Sequence, residues 1–128
     1  MIYSPSRQLG RAISMDENEI YHKGFEYRCN GQYAEAKAEF QRVLGFNPRH
    51  IKARMQIGLI QGFEGDFEGS MATLAALSSE VPNDLDVRYE LAMTQLMLGE
   101  IDDGCANIRY ILAIDPSHEK AIQQSAYC

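Results

Sequence analysis

With 128 residues, of which 45% are hydrophobic and 23% charged, the chain has the length of one domain, and folding at that size buries roughly two-thirds of the unfolded surface without a metal or cross-link. The net charge of −6 is unevenly spread: residues 1–50 carry seven Lys/Arg against six Asp/Glu, residues 51–100 three against eight, and residues 101–128 two against four. An acidic body lacks the basic stripe that phosphates require, so nucleic acid is excluded as a partner.

No run approaches the ~18 apolar residues of a membrane span, and no basic start leads into an apolar stretch of signal-peptide length. Cys29, Cys105 and Cys128 are odd in number and form no C-x-x-C pair. That usage points to free thiols in a reducing compartment. A soluble cytoplasmic protein with no membrane partner is therefore expected.

In chain order, residues 1–16 carry few large apolar anchors (Leu9, Ile13, Met15) beside Arg7 and Arg11, and are expected to be a mobile arm or short helix. Glu17 to Asn30 reads as a helix ended by Gly31, a residue that takes the left-handed C-terminal position without steric cost. Tyr33 to about Phe46 reads as a second helix, stopped by Asn47 and Pro48. This punctuation then returns twice. Gly31, Gly65 and Gly99 are 34 residues apart, as are Pro48, Pro82 and Pro116.

Aligning the copies at that offset places Gly24, Gly58 and Ala92 on the first helices and Ala36, Ser70 and Gly104 on the second, small residues that let helix backbones approach. Phe40, Leu74 and Ile108, with Tyr33, Phe67 and Ile101, are expected to fill the space around them, and Val43, Leu77 and Ile111 to complete the packing. The tail continues the frame, with Ile122 matching Ile20 and Ala126 matching Gly24. It reads as a capping helix that closes the stack, as expected of a finished protein.

The spacing Ile20-x2-Lys23-Gly24-x2-Tyr27, then Ala36-x3-Phe40, then Pro48 resembles the tetratricopeptide repeat (TPR). The resemblance implies an all-α helical-hairpin solenoid, a right-handed superhelix of antiparallel helix pairs. Its repeats would be 17–50, 51–84 and 85–118, with 119–128 as the capping helix starting near 117. The sequence departs from the pattern at Lys23, at Arg54 and Arg88 in the large apolar position of Ile20, and at Gln61 and Gln95 in the aromatic position of Tyr27. Long polar stems can cover apolar surface while their heads reach water.

A second stripe lies about 100° round the first helices: Tyr21, Phe25 and Cys29, then Met55, Leu59 and Phe63, then Tyr89, Met93 and Met97, with Leu96 at its edge. First helices of TPR proteins line the concave face, so the resemblance implies a groove of aromatic and Met side chains. Contiguous exposed apolar surface marks a binding site, and Met and aromatic side chains adapt to varied apolar partners. The expected function is a non-catalytic protein–protein interaction module, an adaptor or chaperone. It would hold an apolar or amphipathic peptide on Tyr21, Phe25, Met55, Leu59, Phe63, Tyr89, Met93 and Met97, with Asn18, Lys52 and Asp86 as polar edge groups. The alternative is a self-associating scaffold, a homo-oligomer whose groove receives another copy.

TPR domains that grip a C-terminal carboxylate place Lys, Asn and Arg where this chain has Tyr21, Phe25, Gln56, Asp86 and Glu90, so that specialisation is rejected. Acidity, size and an aromatic groove give a weak resemblance to the small TPR chaperones of type III secretion. Glu64, Asp66, Glu68, Glu100, Asp102 and Asp103 fall at two successive turns and form an acidic rim suited to a basic partner. Catalysis is not expected. His22 and Cys29 are about 10.5 Å apart along a helix axis, too far for a nucleophile and its base. His50 and His118 read as helix-start residues, and neither a phosphate loop nor a zinc spacing occurs, so no cofactor or metal is expected.

Overall fold

The computed structural model describes residues 16–128, which form seven α-helices: α1 Glu17–Cys29, α2 Tyr33–Phe46, α3 Ile51–Phe63, α4 Phe67–Glu80, α5 Leu85–Met97, α6 Ile101–Ile114 and α7 Glu119–Ser125. No strand occurs among the described residues. The arm expected over 1–16 lies, through residue 15, outside them.

Each helix start repeats at the offset of the glycines: Glu17, Ile51, Leu85 and Glu119 for one set, Tyr33, Phe67 and Ile101 for the other. The turns explain why. Gly31, Gly65 and Gly99 have φ of +76°, +95° and +84°, a region other residues enter only under strain. Around each, a long backbone bond closes the helix end: Gln32 N–H donates to the Tyr27 carbonyl at 2.9 Å, Asp66 to Gln61 at 2.8 Å and Glu100 to Gln95 at 2.9 Å. This is the Schellman pattern, which satisfies carbonyls the helix leaves open.

Starts are fixed by caps on the same period. Asp16 accepts from Glu19 N–H at 2.9 Å and closes a capping box with the Glu19 carboxylate. Asp84 accepts from Val87 N–H at 3.1 Å. At the two alternate positions the acceptor is an imidazole: His50 Nδ1 takes Ala53 N–H at 3.0 Å, and His118 Nδ1 takes Ala121 N–H at 3.1 Å. Both histidines thus start helices, and each satisfies one of the amides that a helix N-terminus leaves without a partner.

Contacts divide the described residues into two compact units, 16–56 and 57–128. In the first, α1 packs on α2, with Ile20, Ala36, Phe40 and Val43 wholly buried. The close approach is visible at Gly24, where an added Cβ would sit 2.8 Å from the Phe40 ring. In the second unit α5 packs on α4 and α6, and α6 on α7. Gly58 would place a Cβ 3.0 Å from Thr73, and Gly104 would place one 2.7 Å from Leu96. Ala92, Ile108, Ile111 and Ala121 form a buried cluster with Leu85, Tyr89 and Leu112 against it.

Two expectations need correction. Phe67 and Ile101 are 39% and 48% exposed and Tyr33 is half-buried: as the first residues of α2, α4 and α6 they stand at helix ends, where little chain surrounds them. The glutamines in the aromatic position do not disturb the hairpins, because each joins its two helices. Thr73 Oγ1 donates to Gln61 Oε1 and Asn107 Nδ2 to Gln95 Oε1, both at 2.7 Å, a second pair on the 34-residue offset. Arg88 likewise earns its place by bonding. Its guanidinium donates to the Pro82 carbonyl at 3.1 and 3.2 Å and to Asn107 Oδ1 at 2.8 Å, and lies 3.6 Å over the Tyr110 ring.

The second correction concerns sulfur. Cys105 and Cys128 are joined in a disulfide with Cα atoms 5.7 Å apart, and Cys29 alone is a free, exposed thiol.

Candidate functional site

On α1, one face carries Tyr21, Phe25 and Cys29 at successive turns. Tyr21 is half-buried and tied down: its ring stacks on His50 at 5.6 Å and meets Phe40 at 5.4 Å, and its hydroxyl accepts from Gln56 Nε2 at 3.2 Å. A residue so held contributes a fixed edge rather than an adaptable surface. Phe25 is 37% exposed beneath the Arg28 guanidinium, 4.8 Å from its ring centroid. Asn18 and Lys52 are exposed. Met55, at the start of the α3 stripe, is 6% exposed and therefore presents little surface to a ligand.

Within residues 57–128 the stripe continues with Leu59 half-buried and Phe63 53% exposed at the end of α3. On α5, Tyr89 and Met93 are half-buried, Met97 is 63% exposed, and Asp86 is exposed at the first turn. The α5 residues follow an i, i+4, i+8 spacing on one helix face. Apolar exposure grows along that face toward Met97. The charge of this unit is one-sided: residues 57–128 hold three Lys/Arg against twelve Asp/Glu, whereas residues 1–56 hold nine against six.

Tyr89 has neighbours that sequence spacing did not reveal. His118 stacks on its ring at 5.8 Å, Lys120 lies 5.7 Å over it, and the Gln124 side chain is near enough to act on its phenol. The His118 stack repeats, within this unit, the Tyr21–His50 arrangement of the other. A signal did exist: His50 and His118 lie 29 residues after Tyr21 and Tyr89.

Partial burial pushes the Tyr89 phenol above its ordinary 10.0, the Glu90 carboxylate adds to the rise, and the Gln124 side chain opposes it. The folded chain thus holds this proton longer than the unfolded chain does. The stabilising contribution is complete below pH ~10 and declines as pH rises through the folded value. In an alkaline titration followed by tyrosinate absorbance, Tyr89→Phe removes amplitude from the high-pH end of the wild-type curve. Removal from its low-pH end contradicts this assignment.

No protein-family model and no curated protein sequence matches the chain. Solved structures do resemble it. A MamA fragment, 41 to the end, from Desulfovibrio magneticus RS-1 is 21% identical with a TM-score of 0.72, over 92% of this chain and 67% of that one. YrrB, described as a TPR protein with an unusual peptide-binding site, is 22% identical with a TM-score of 0.73, over 91% of this chain and 60% of its own. The first TPR of Spaghetti (RPAP3), bound to the HSP90 peptide SRMEEVD, is 12% identical with a TM-score of 0.78, over 87% and 90%. At identities this low the likeness shows the fold alone. It is that of the tetratricopeptide repeat: all-α, and built of helical hairpins.

Proposed function

We propose that this TPR-fold chain is a non-catalytic protein–protein interaction module that takes an apolar or amphipathic peptide on its first-helix faces, as an adaptor or chaperone. One observation carries the reading: large apolar side chains stand in solvent along those faces, with Met97 63%, Phe63 53% and Phe25 37% exposed. Burying such a side chain is worth roughly 1.5–3 kcal/mol, so a partner able to cover several gains substantially. Leu59, Met93 and the open edge of Tyr89 complete the contacts in residues 57–128, with Asp86 beside them. Phe25 and Tyr21 supply those of residues 1–56, with Asn18 and Lys52 at their edge. Met55, at 6% exposure, adds little surface of its own.

The structures of YrrB and the RPAP3 repeat, whose descriptions name a peptide-binding site and a bound peptide, support this use of the fold. The acidic balance of residues 57–128 favours a peptide whose polar face is basic. Nucleic acid is disfavoured for the same reason, and no helix among the described residues is long and apolar enough to cross a membrane. The cytoplasm remains the proposed location, with the Cys105–Cys128 bond acting as a reversible element, since permanent disulfides are rare there.

Calorimetric titration with an amphipathic Leu/Lys helical peptide, against a scrambled peptide of equal composition, tests the reading. The ordered peptide is expected to bind, and Phe63→Ala combined with Met97→Ala to weaken it by roughly tenfold or more at unchanged melting temperature. Equal affinity for both peptides, or for both proteins, contradicts it. A molar mass that rises with concentration and blocks the titration favours the self-associating scaffold instead.

A further inference from the structure

We propose that the Cys105–Cys128 disulfide is a reversible latch: while it is intact α7 stays docked over Tyr89 and the α5–α6 core, and reduction releases the tail and bares that face. The inference does not depend on the peptide-binding reading.

α7 has seven residues, and helices shorter than ~12–15 are marginal in water. Its order therefore comes from docking. Yet the apolar part of that docking is small. Ala121 is its buried residue, one methyl set among Ala92, Ile108 and Ile111. Ile122 and Tyr127, the large apolar side chains of the segment, are 47% and 78% exposed.

Three side chains of the segment gather at one ring. His118, Lys120 and Gln124 all meet Tyr89. At its near end the segment is held by the His118 stack on Tyr89, and at its far end by Cys128, whose bond reaches across 23 residues to Cys105 on α6. Cys105 is 4% exposed and belongs to the packed interior, so the tail is moored to the core itself. Removing that mooring restores conformational freedom to a segment with few contacts to offset it.

A dithiol reductant supplies the electrons. One of its thiolates attacks the sulfur of the exposed Cys128, breaking the Sγ–Sγ bond, and Cys105 leaves as a thiolate that takes up a proton. The second reductant thiol then attacks the mixed disulfide, expelling Cys128 as a thiol and leaving the reductant as a cyclic disulfide. Two electrons and two protons pass to the protein. The latch is thus closed as the disulfide and open as the dithiol, the balance being set by the pair's reduction potential against that of its surroundings.

Hydrogen exchange read by mass spectrometry on the full chain tests this, comparing air-oxidised protein, protein in dithiothreitol, and Cys128→Ser. Peptide mapping of the oxidised sample is expected to recover the Cys105–Cys128 link, at a mass two hydrogens below the thiol form. Amides of residues 119–126 are expected to exchange faster by roughly tenfold or more both on reduction and in Cys128→Ser, with α1 and α2 unchanged as the internal standard of folding. Equal protection of residues 119–126 in all three samples overturns the latch. So does a link through Cys29, or none, in the oxidised protein.

Discussion

Phe40→Ala is expected to lower the free energy of unfolding by about 3–5 kcal/mol, the range for an aromatic side chain removed from a closed core. Phe40 is wholly buried, faces the Tyr21 ring at 5.4 Å and covers Gly24. Such a loss is a large part of the 5–15 kcal/mol typical of a domain. Gly24 turns the prediction into a sharper one. A Cβ at this position would lie 2.8–3.1 Å from three atoms of the Phe40 ring, so Gly24→Ala alone is expected to cost about 1–3 kcal/mol of overpacking. Without the ring, the methyl has room and the helix propensity of alanine is gained instead, about 0.5–1 kcal/mol. The sign of Gly24→Ala therefore reverses between the wild-type and Phe40→Ala backgrounds. Urea denaturation of the four proteins measures this, and additive effects contradict the ring-on-glycine crossing.

For residues 57–128 the corresponding site is Ile108. It is wholly buried beside Ala92, Ile111 and Ala121, and Ile108→Ala is expected to cost about 2–5 kcal/mol. Ile101, seven residues earlier on the same helix, is 48% exposed, and its replacement by alanine is expected to change stability by no more than about 0.5 kcal/mol. Both residues are isoleucines on α6, so the comparison isolates burial from side-chain type. Comparable losses at the two sites would show that the first turn of α6 is packed rather than open.

The offset of 34 carried most of the fold. It placed the turn glycines, the helix stops and the small residues at the crossings, because each of these answers a local demand: a left-handed backbone, a missing amide, or a close approach. Burial at the edges was less legible. Tyr33, Phe67 and Ile101 share a register but not a neighbourhood, and no periodicity reports that a helix end stands in solvent. Met55 shares the stripe of Leu59 and Phe63 but not their exposure.

The polar departures were visible as anomalies, while their partners were not. Gln61 and Gln95 find Thr73 and Asn107 twelve residues on, across a hairpin, and only an alignment of both helices at once would pair them. Cysteine usage misled for a related reason. Cys105 and Cys128 are neighbours because α7 folds back onto α6, a fact of packing that count and spacing do not contain. The same packing brings His118, Lys120 and Gln124 to Tyr89, which is why that residue belongs both to the proposed binding face and to the capped end.

Methionine methyl resonances report whether the first-helix faces receive an apolar or amphipathic peptide. Met93 and Met97 lie on the α5 face, Met55 is buried on α3, and Met71 is half-buried on α4, a second helix. On titration with the amphipathic Leu/Lys peptide, the Met93 and Met97 methyl signals are expected to shift in a saturable manner while Met71 holds its position. Saturable movement of Met71 with Met93 and Met97 unchanged would place the binding surface on the second helices and contradict the account.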